Sequence, residues 1–262
     1  MDLNLAGRHA LVCGASEGIG RAAAVELALL GANVTVLARR ATALAEVVAA
    51  LPLVVEGQRH GALAQDVAET ATLEAGVRAL VIDRPVHILV NNTGGPPGGR
   101  ALDAGADDYL AAFQRHLLAN QVLASAVVPG MRAAHWGRII NVISTSVKEP
   151  IANLGVSNTI RGAVASWAKT LSKELGADGI TVNNVLPGYT RTQRLEQILR
   201  DRVETTGKDE AAISAAMLAS VPAGRFADAH EVAAAIAFLA TPAAAYVNGV
   251  SLAVDGGRMQ SL

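Results

Sequence analysis

A glycine-rich run near the N-terminus holds the first residues that could do chemistry, and it consists of Cys13-Gly14-Ala15-Ser16-Glu17-Gly18-Ile19-Gly20. An apolar run at 9–12 precedes it, and a helix-compatible run at 21–27 follows it. A strand, a glycine turn and a helix in this order predict a pyrophosphate site, because the free N–H groups and the dipole of the helix face the anion. The residues that we expect to bind the phosphates of a dinucleotide are Gly14, Ser16, Glu17, Gly18, Ile19 and Gly20.

Two arginines, Arg39 and Arg40, follow the second predicted strand at 33–38. In a dinucleotide-binding fold this strand end faces the adenosine ribose, where an acidic residue hydrogen-bonds the 2′-hydroxyl and an arginine accommodates a 2′-phosphate. Ala38 occupies the place of the acid. The pattern favours NADP(H) over NAD(H). The alternative is that both arginines are solvated charges at the start of a helix.

Two further strand ends add polar residues that could face the same cofactor. Asp66 and Val67 follow the third strand, where a carboxylate can accept a hydrogen bond from the adenine amino group or can cap a helix. Asn91, Asn92 and Gly94 follow the fourth strand, where amides can tie strand ends together and a glycine permits close approach, or form an ordinary turn. The residues that we expect to line the cofactor here are Asp66, Val67, Asn92 and Gly94.

The elements that must position these residues alternate along the whole chain. Strands are predicted at 8–13, 33–38, 60–65, 86–91, 138–143, 180–186 and 250–254. Helices are predicted at 19–30, 41–51, 68–80, 107–134, 155–177 and 228–240. This alternation predicts an α/β fold, a Rossmann-type doubly wound parallel sheet of about seven strands with helices on both faces. We expect one dinucleotide-binding domain over 1–262, with a helical substrate lid near 191–221.

The composition excludes several classes of function. The 262 residues are 51% hydrophobic but only 3% aromatic, which suits parallel strands buried on both faces under alanine-rich helices. A net charge of −1 without a basic block argues against a nucleic acid partner. No apolar run approaches the ~20 residues that span a bilayer, and no signal peptide is visible. The single Cys13 excludes an internal disulfide and a cysteine-based metal site, and we expect it to pack in the core. These features predict a cytoplasmic protein with a small-molecule substrate and no membrane partner.

Four motifs in order resemble those of the short-chain dehydrogenase/reductase family over essentially the whole chain. They are the glycine run, Asn91-Asn92-Thr93-Gly94, Asn183 with Pro187-Gly188, and Val254-Asp255-Gly256-Gly257. The resemblance implies a seven-stranded doubly wound sheet and a nicotinamide cofactor. It also implies a homotetramer, which would form through the helices at 107–134 and 155–177 and the C-terminal region.

The resemblance further implies that the loop after the sixth strand lies against the nicotinamide, with Thr192 near the phosphates. The cofactor residues expected there are Pro187, Gly188, Thr190 and Thr192. Tyr189 places a phenol in the same loop, either for packing or for chemistry.

The residues at the reacting positions depart from the family pattern. The family's chemistry normally uses a serine after the fifth strand, then a tyrosine and a lysine four residues apart on the next helix. Ser144 fits the serine, but Ser157 and Arg161 stand where the tyrosine and lysine are expected. Ser157 and Arg161 share one helix face, so both can point into the cleft. Arg161 can hydrogen-bond ribose hydroxyls as a lysine does, whereas a serine hydroxyl is far too weak an acid near neutral pH.

Other side chains could replace the missing acid. His116 occupies a position where the family has an asparagine, and Asn120 lies one turn later. A histidine titrates near neutral pH and could donate a proton, but it could equally serve the structure. Lys148 and Glu149 follow Ser144 and could reach the cleft or be ordinary loop charges.

The sequence therefore predicts an NADP(H)-dependent oxidoreductase with a non-standard active site, whose catalytic residues would be Ser144, Ser157, Arg161 and His116. Reduction of a ketone creates an alkoxide that needs a proton or a strong donor, whereas hydride addition to an iminium ion yields a neutral amine. The prediction is an imine, iminium or similarly activated substrate, oriented by Ser144, Ser157 and Asn158. The alternatives are a ketone reductase, for example of 3-oxoacyl thioesters, with His116 as acid, and a catalytically silent dinucleotide-binding protein.

Overall fold

The computed structural model describes residues 1–261, and a seven-stranded parallel sheet forms its centre. The strands are β1 (His9–Cys13), β2 (Asn33–Ala38), β3 (Gly61–Ala64), β4 (Ile88–Asn91), β5 (Gly137–Val142), β6 (Ile180–Pro187) and β7 (Ser251–Val254). They lie in the order β3-β2-β1-β4-β5-β6-β7, and every neighbouring pair is parallel. The predicted doubly wound Rossmann-type fold is confirmed.

Helices connect the strands and cover both faces of the sheet. They are α1 (Gly18–Leu29), α2 (Ala41–Ala50), α3 (Thr70–Asp83), α4 (Ala106–Phe113), α5 (Ala119–Ala133), α6 (Gly155–Glu174), α7 (Gln193–Thr206), α8 (Glu210–Leu218) and α9 (Ala229–Ala240). One core lies between the sheet and α1, α2 and α9, and a second lies between the sheet and α3, α5 and α6. All five residues of β1 are buried, as expected for a central strand with helices on both faces.

Strand order reverses next to β1, since β2 lies on one side of it and β4 on the other. The chain crosses to opposite faces of the sheet after these strands, so a crevice opens at their carboxyl ends. The glycine run follows β1 and the Asn91-Asn92-Thr93-Gly94 motif begins at the end of β4. The fold thereby brings the two motifs together at one edge.

A chain of side-chain hydrogen bonds crosses the sheet from β4 to β7. Asn91 donates to Asn141 over 2.8 Å, Asn141 donates to Asn184 over 3.0 Å, and Asn184 donates to Ser251 over 3.2 Å. Each donating NH2 group is thus paired with the next strand, as buried polar groups generally are. The predicted role of the asparagines as links between strand ends is confirmed for Asn91.

Two predicted elements differ from the structure. The single helix expected at 107–134 is interrupted by a π-helical turn at Gln114–Leu118, which separates α4 from α5. Such widened turns leave the apolar periodicity almost unchanged, so the sequence pattern does not reveal them. The segment expected to be a helical lid contains two helices, α7 and α8, which are separated at Gly207 in a left-handed conformation of φ 66°.

In residues 1–261, no helix is both long enough and apolar enough to cross a membrane.

Candidate active site

A cleft of about 850 Å³ opens at the carboxyl ends of the strands, at the reversal of strand order. The predicted site residues that line it are Gly14, Ser16, Glu17, Gly18, Ile19, Arg39, Arg40, Asp66, Val67, Asn92, Gly94, Ser144, Ser157, Arg161, Pro187, Gly188, Thr190 and Thr192. Gly20 and His116 do not line this cleft. Residues from six strand ends therefore meet in one cavity, as the doubly wound fold requires.

The glycine turn forms a cradle that side chains would fill. Gly14 has φ 58°, and a Cβ on it would lie 2.5 Å from the carbonyl oxygen of Asn92. The Asn92 side chain donates to the carbonyl oxygens of Cys13 and Gly14 over 3.3 and 3.2 Å, which fixes the turn against β4. Gly20 packs against Gly14 in the way that close helix–strand contact requires. The turn thus has the shape that a pyrophosphate needs at the N-terminus of α1.

The loop after β6 closes the other side of this cradle. A Cβ on Gly18 would lie 3.2 Å from a methyl carbon of Thr192, so the glycine turn and the loop are in contact. The Thr192 hydroxyl caps α7 by accepting from the N–H of Leu195 over 3.4 Å. The predicted location of Thr192 next to the phosphate-binding turn agrees with this geometry.

The two arginines after β2 differ in their surroundings. Arg40 forms an ion pair of 3.2 Å with Glu17 of the glycine turn. Arg39 lines the same cleft and has no carboxylate within ion-pair distance among residues 1–261. Arg39 is therefore the arginine that is free to receive a 2′-phosphate, whereas the charge of Arg40 is already partly balanced.

Asp66 lines the cleft and also makes a local turn. One carboxylate oxygen accepts from the N–H of Ala68 over 2.9 Å. The helix cap that the sequence left open for Asp66 is not formed, because α3 begins at Thr70 with Glu69 directly before it. The second carboxylate oxygen remains available to a ligand.

At the opposite end of the cleft, two serine hydroxyls face the cavity. Ser144 follows β5, and its Oγ accepts from the N–H of Ser146 over 3.1 Å, which leaves its own proton free. Ser157 lies in the first turn of α6, is 7% exposed, and has no side-chain hydrogen bond to any described residue. Both hydroxyls can therefore bind a ligand in the cleft. Asn158 does not join them, because its amide donates to the carbonyl oxygen of Ile151 over 2.8 Å and accepts from the same residue.

Arg161 lies one helical turn after Ser157 on the same face of α6, as the spacing predicts. It is 9% exposed, lines the cleft, and donates to the carbonyl oxygen of Val142 over 3.3 Å. Burial, with a smaller contribution from Arg194, lowers the pKa of Arg161 to about 10. The group is therefore still charged at neutral pH.

His116 lies in the π-helical turn and is buried next to the cleft rather than in it. Its Nδ1 is 2.6 Å from the hydroxyl of Thr93, and the side chain is 4% exposed. Burial and the charges of Arg161 and Arg115 lower the pKa of His116 to about 3. The imidazole is therefore neutral near pH 7 and holds no acidic proton of the kind a ketone reductase would need.

Several cleft residues were not predicted from the sequence. Arg115 and Arg194 line the cleft, and nothing in their spacing indicated this. Tyr189, which the sequence did place in the loop after the sixth strand, lines the cleft with its ring packed edge-on against Phe226 and beneath the guanidinium of Arg258 at 4.6 Å. The packing role left open for Tyr189 is present.

Three other residues that the sequence analysis considered lie outside the cleft lining. Lys148 and Glu149 do not reach it, and Glu149 instead accepts from the backbone N–H groups of Gln260 and Ser261. Cys13 is buried as expected, and burial raises the pKa of its thiol to about 12. The thiol is therefore inert and fills space beside the glycine turn.

Comparisons with known proteins agree on one family. A family model described as enoyl-(acyl carrier protein) reductase matches residues 14–258. The chain is 36% identical over 258 residues to the 3-oxoacyl-[acyl-carrier-protein] reductase FabG of Vibrio cholerae, and the match covers 97% of this chain and 98% of that protein.

Two solved structures share the fold over nearly their full length. L-sorbose reductase from Gluconobacter frateurii, complexed with NADPH and L-sorbose, has a TM-score of 0.92 at 30% identity and is covered completely, as is this chain. YwfH, an NADPH dependent reductase involved in bacilysin biosynthesis, has a TM-score of 0.88 at 29% identity, with 97% of this chain and 99% of that chain covered.

Proposed function

The chain belongs to the short-chain dehydrogenase/reductase family, and on that premise we propose that it is an NADP(H)-dependent reductase of an imine, an iminium ion or a similarly activated electrophile. It is an NAD(P)-dependent oxidoreductase, so the alternative of a catalytically silent binding protein is set aside.

The preference for NADP(H) is supported by the charges after β2. Ala38 offers no carboxylate to the ribose 2′-hydroxyl, and Arg39 lines the cleft without an ion-pair partner among residues 1–261. A 2′-phosphate would supply the missing negative charge. NADPH, when bound, supplies the hydride. The glycine turn, Arg39 and the loop after β6 would hold the cofactor.

The observation that carries the substrate class is the set of groups at the reacting end of the cleft. The family resemblance implies that Ser157 stands where the family normally has a tyrosine and that Arg161 stands where it has a lysine, and both residues line the cleft. Tyr189 is the one phenol lining the described cleft, and its ring is held by Phe226 and Arg258. A general acid at the reacting position accelerates a reaction that needs a proton by ~10²–10⁴, and a site without one loses this factor. A substrate that needs no proton during hydride transfer is not affected by the loss.

The reacting form is the iminium ion, which an imine reaches by taking a proton from solvent. Hydride addition to the iminium carbon moves the C=N electron pair onto nitrogen and leaves a neutral amine. No negative charge develops on the acceptor, so the protein has to orient the substrate rather than protonate it. The hydroxyls of Ser144 and Ser157 can orient it by hydrogen bonds. Arg161 would hold the ribose next to the nicotinamide.

The competing proposal, a ketone reductase with His116 as acid, has less support. His116 is held by Thr93, lies outside the lining of this cleft, and is neutral at physiological pH. A group with a pKa of about 3 is almost fully deprotonated near pH 7 and is a poor reservoir of protons.

A screen of imines and ketones, with NADPH oxidation as readout, tests the proposal through four variants. We expect His116→Ala and Tyr189→Phe to leave imine turnover within a fewfold of wild type, and Arg161→Ala to lower it strongly. Arg161→Lys should restore much of that loss, because a lysine also donates to ribose hydroxyls. Brisk ketone reduction that falls by ~10² or more in Tyr189→Phe or His116→Ala would show that this residue is the acid and would overturn the proposal.

A further inference from the structure

Positive charge accumulates without compensation at the reacting end of the cleft. Arg115, Arg161 and Arg194 all line it, and none has a carboxylate within ion-pair distance among residues 1–261. The carboxylates that line the cleft, Glu17 and Asp66, belong to the glycine turn and the end of β3. The reacting end is therefore a cationic pocket.

Two of these guanidinium groups flank the same glycine. A Cβ on Gly95 would lie 3.4 Å from Nη2 of Arg161 and 3.8 Å from Nη2 of Arg194. Arg161 donates to the carbonyl oxygen of Val142, and Arg194 donates to that of Pro96 over 2.9 Å. Each guanidinium has five N–H donors, so most donors of both side chains remain free to bind a ligand.

The neighbouring acidic residues do not neutralise this pair. Asp103 and Asp108 line an adjoining cavity of about 470 Å³, which also contains Arg115. Asp103 pairs with Arg100 at 3.6 Å, and Asp108 accepts from the N–H of Gly105 at the start of α4. Both carboxylates are thus engaged in local contacts.

Two cations beside one glycine repel each other, and water screens this repulsion only partly because Arg161 is 9% exposed. A ligand that brings a negative charge removes this cost and gains charge-assisted hydrogen bonds. A bare iminium ion would instead add a further positive charge to a pocket that already holds three arginines. An anionic group on the substrate, near the electrophilic carbon, would relieve this repulsion.

We propose that the substrate carries a carboxylate that binds between Arg161 and Arg194 beside Gly95. The planar guanidinium group can donate two parallel hydrogen bonds to a carboxylate. A carboxylate also brings a single negative charge next to the buried Arg161 side chain. This inference rests on the proposed reductase function and narrows its substrate class to imino or oxo compounds bearing a carboxylate. Two other groups could supply the negative charge: a phosphate ester on the substrate, and the phosphates of the cofactor itself.

Binding measurements on the protein saturated with NADP+ separate these sources without any turnover. The probes are cyclohexanecarboxylate, its neutral analogue cyclohexanecarboxamide, and inorganic phosphate, each titrated by calorimetry. We expect the carboxylate to bind more tightly than the carboxamide and the phosphate. Arg194→Gln should weaken carboxylate binding by about 10–100-fold and leave carboxamide binding and the NADP+ dissociation constant unchanged.

Arg200→Gln is the matched control, because Arg200 is an exposed arginine of α7 that interacts with Glu196 at 3.9 Å. It should leave the binding of all three probes unchanged. Equal affinities for carboxylate and carboxamide, tighter binding of phosphate, or an NADP+ affinity that falls in Arg194→Gln would each overturn the proposal. These titrations involve no hydride transfer, so they test the carboxylate site separately from the proposed reductase function. Either proposal can fail while the other is supported.

Discussion

Coenzyme selection depends on a difference between two neighbouring residues, Arg39 and Arg40, in whether an acidic side chain pairs with them. Glu17 already balances part of the charge on Arg40, whereas Arg39 has no acidic partner in the described chain. A phosphate bound at the ribose would therefore gain most from Arg39. Hydrogen bonds between charged groups contribute about 1.5–3 kcal/mol each.

We expect Arg39→Ala to raise the dissociation constant of NADPH by about 10–100-fold and to leave that of NADH unchanged. Arg40→Ala is the control and should have a smaller effect, because its charge is shared with Glu17. Fluorescence titration of both coenzymes with the unmodified protein and the two variants measures the six dissociation constants. An unmodified protein that binds NADH as tightly as NADPH would contradict the assignment.

The glycine turn gives a second prediction at this scale. Gly14 and Gly57 both have positive φ, 58° and 76°, but only Gly14 has neighbours, since a Cβ there would lie 2.5 Å from the Asn92 carbonyl oxygen. We expect Gly57→Ala to cost about 1–3 kcal/mol of backbone strain and to leave NADPH affinity unchanged. Gly14→Ala should cost more and should also weaken NADPH binding. Equal effects of the two substitutions on coenzyme affinity would show that the turn does not contact the phosphates.

These residues differ in how far the sequence predicts them. The glycines and Asn92 have roles fixed by a local backbone pattern, so their positions in the chain are informative. The ion pair of Glu17 with Arg40 joins residues 23 positions apart, and Arg194 approaches Gly95 across 99 positions. Such contacts depend on loop conformation, for which the sequence offers no periodicity.

At the scale of elements, the π-helical turn between α4 and α5 determines the state of His116. The turn holds the imidazole against Thr93 in a buried position, with a pKa of about 3. An unfolded chain would bind a proton at the ordinary pKa of about 6.5. The folded state therefore loses stability relative to the unfolded state as the pH falls from about 6.5 towards 3.

Acid titration of stability tests this account of the turn. We expect the free energy of unfolding to fall by up to about 1.4 kcal/mol per pH unit for His116 below pH 6.5, with no such effect above it. His9, whose pKa burial lowers to about 4, adds a similar decline. His116→Gln should remove the first contribution, which urea unfolding at several pH values measures. A slope that does not change in this variant would contradict the burial of a neutral imidazole.

The elements themselves follow closely from the sequence, but their irregularities do not. Strand bounds agree to within two residues, because buried parallel strands give continuous apolar runs between turns. Ile160 and Val164, four positions apart on one face of α6, are both buried, as apolar residues at helical spacing should be. The π-helical turn inserts extra backbone without altering composition, so neither it nor the burial of His116 was predictable.

At the scale of the whole molecule, the family resemblance predicts a homotetramer, and exposed apolar side chains suggest where the chains meet. Leu110 of α4 is 65% exposed, and Leu118 in the π-helical turn is 40% exposed. Tyr246, in the predicted C-terminal contact region, is 103% exposed. Large apolar groups in such positions are typical of surfaces that another chain covers.

Light scattering at micromolar concentration should therefore give a mass of four chains. Leu110→Glu and Tyr246→Asp should each shift the population to smaller species, because a buried charge at an interface is costly. Leu53→Glu, at a loop position that is 68% exposed and outside the predicted interface, is the control and should leave the mass unchanged. A single monomer-sized species of the unmodified protein would refute the prediction.

The central claim is that the site reduces an electrophile that needs no phenolic acid, and a matched pair of substrates tests it most directly. The measurement is kcat/KM with NADPH for a cyclic imino acid and for the cyclic ketone acid of the same ring size. We predict that the imine is reduced at least ~10²-fold better, since the ketone loses general acid assistance. The double variant Ser157→Tyr/Arg161→Lys should shift the ratio towards the ketone. Faster reduction of the ketone by the unmodified protein would contradict the account.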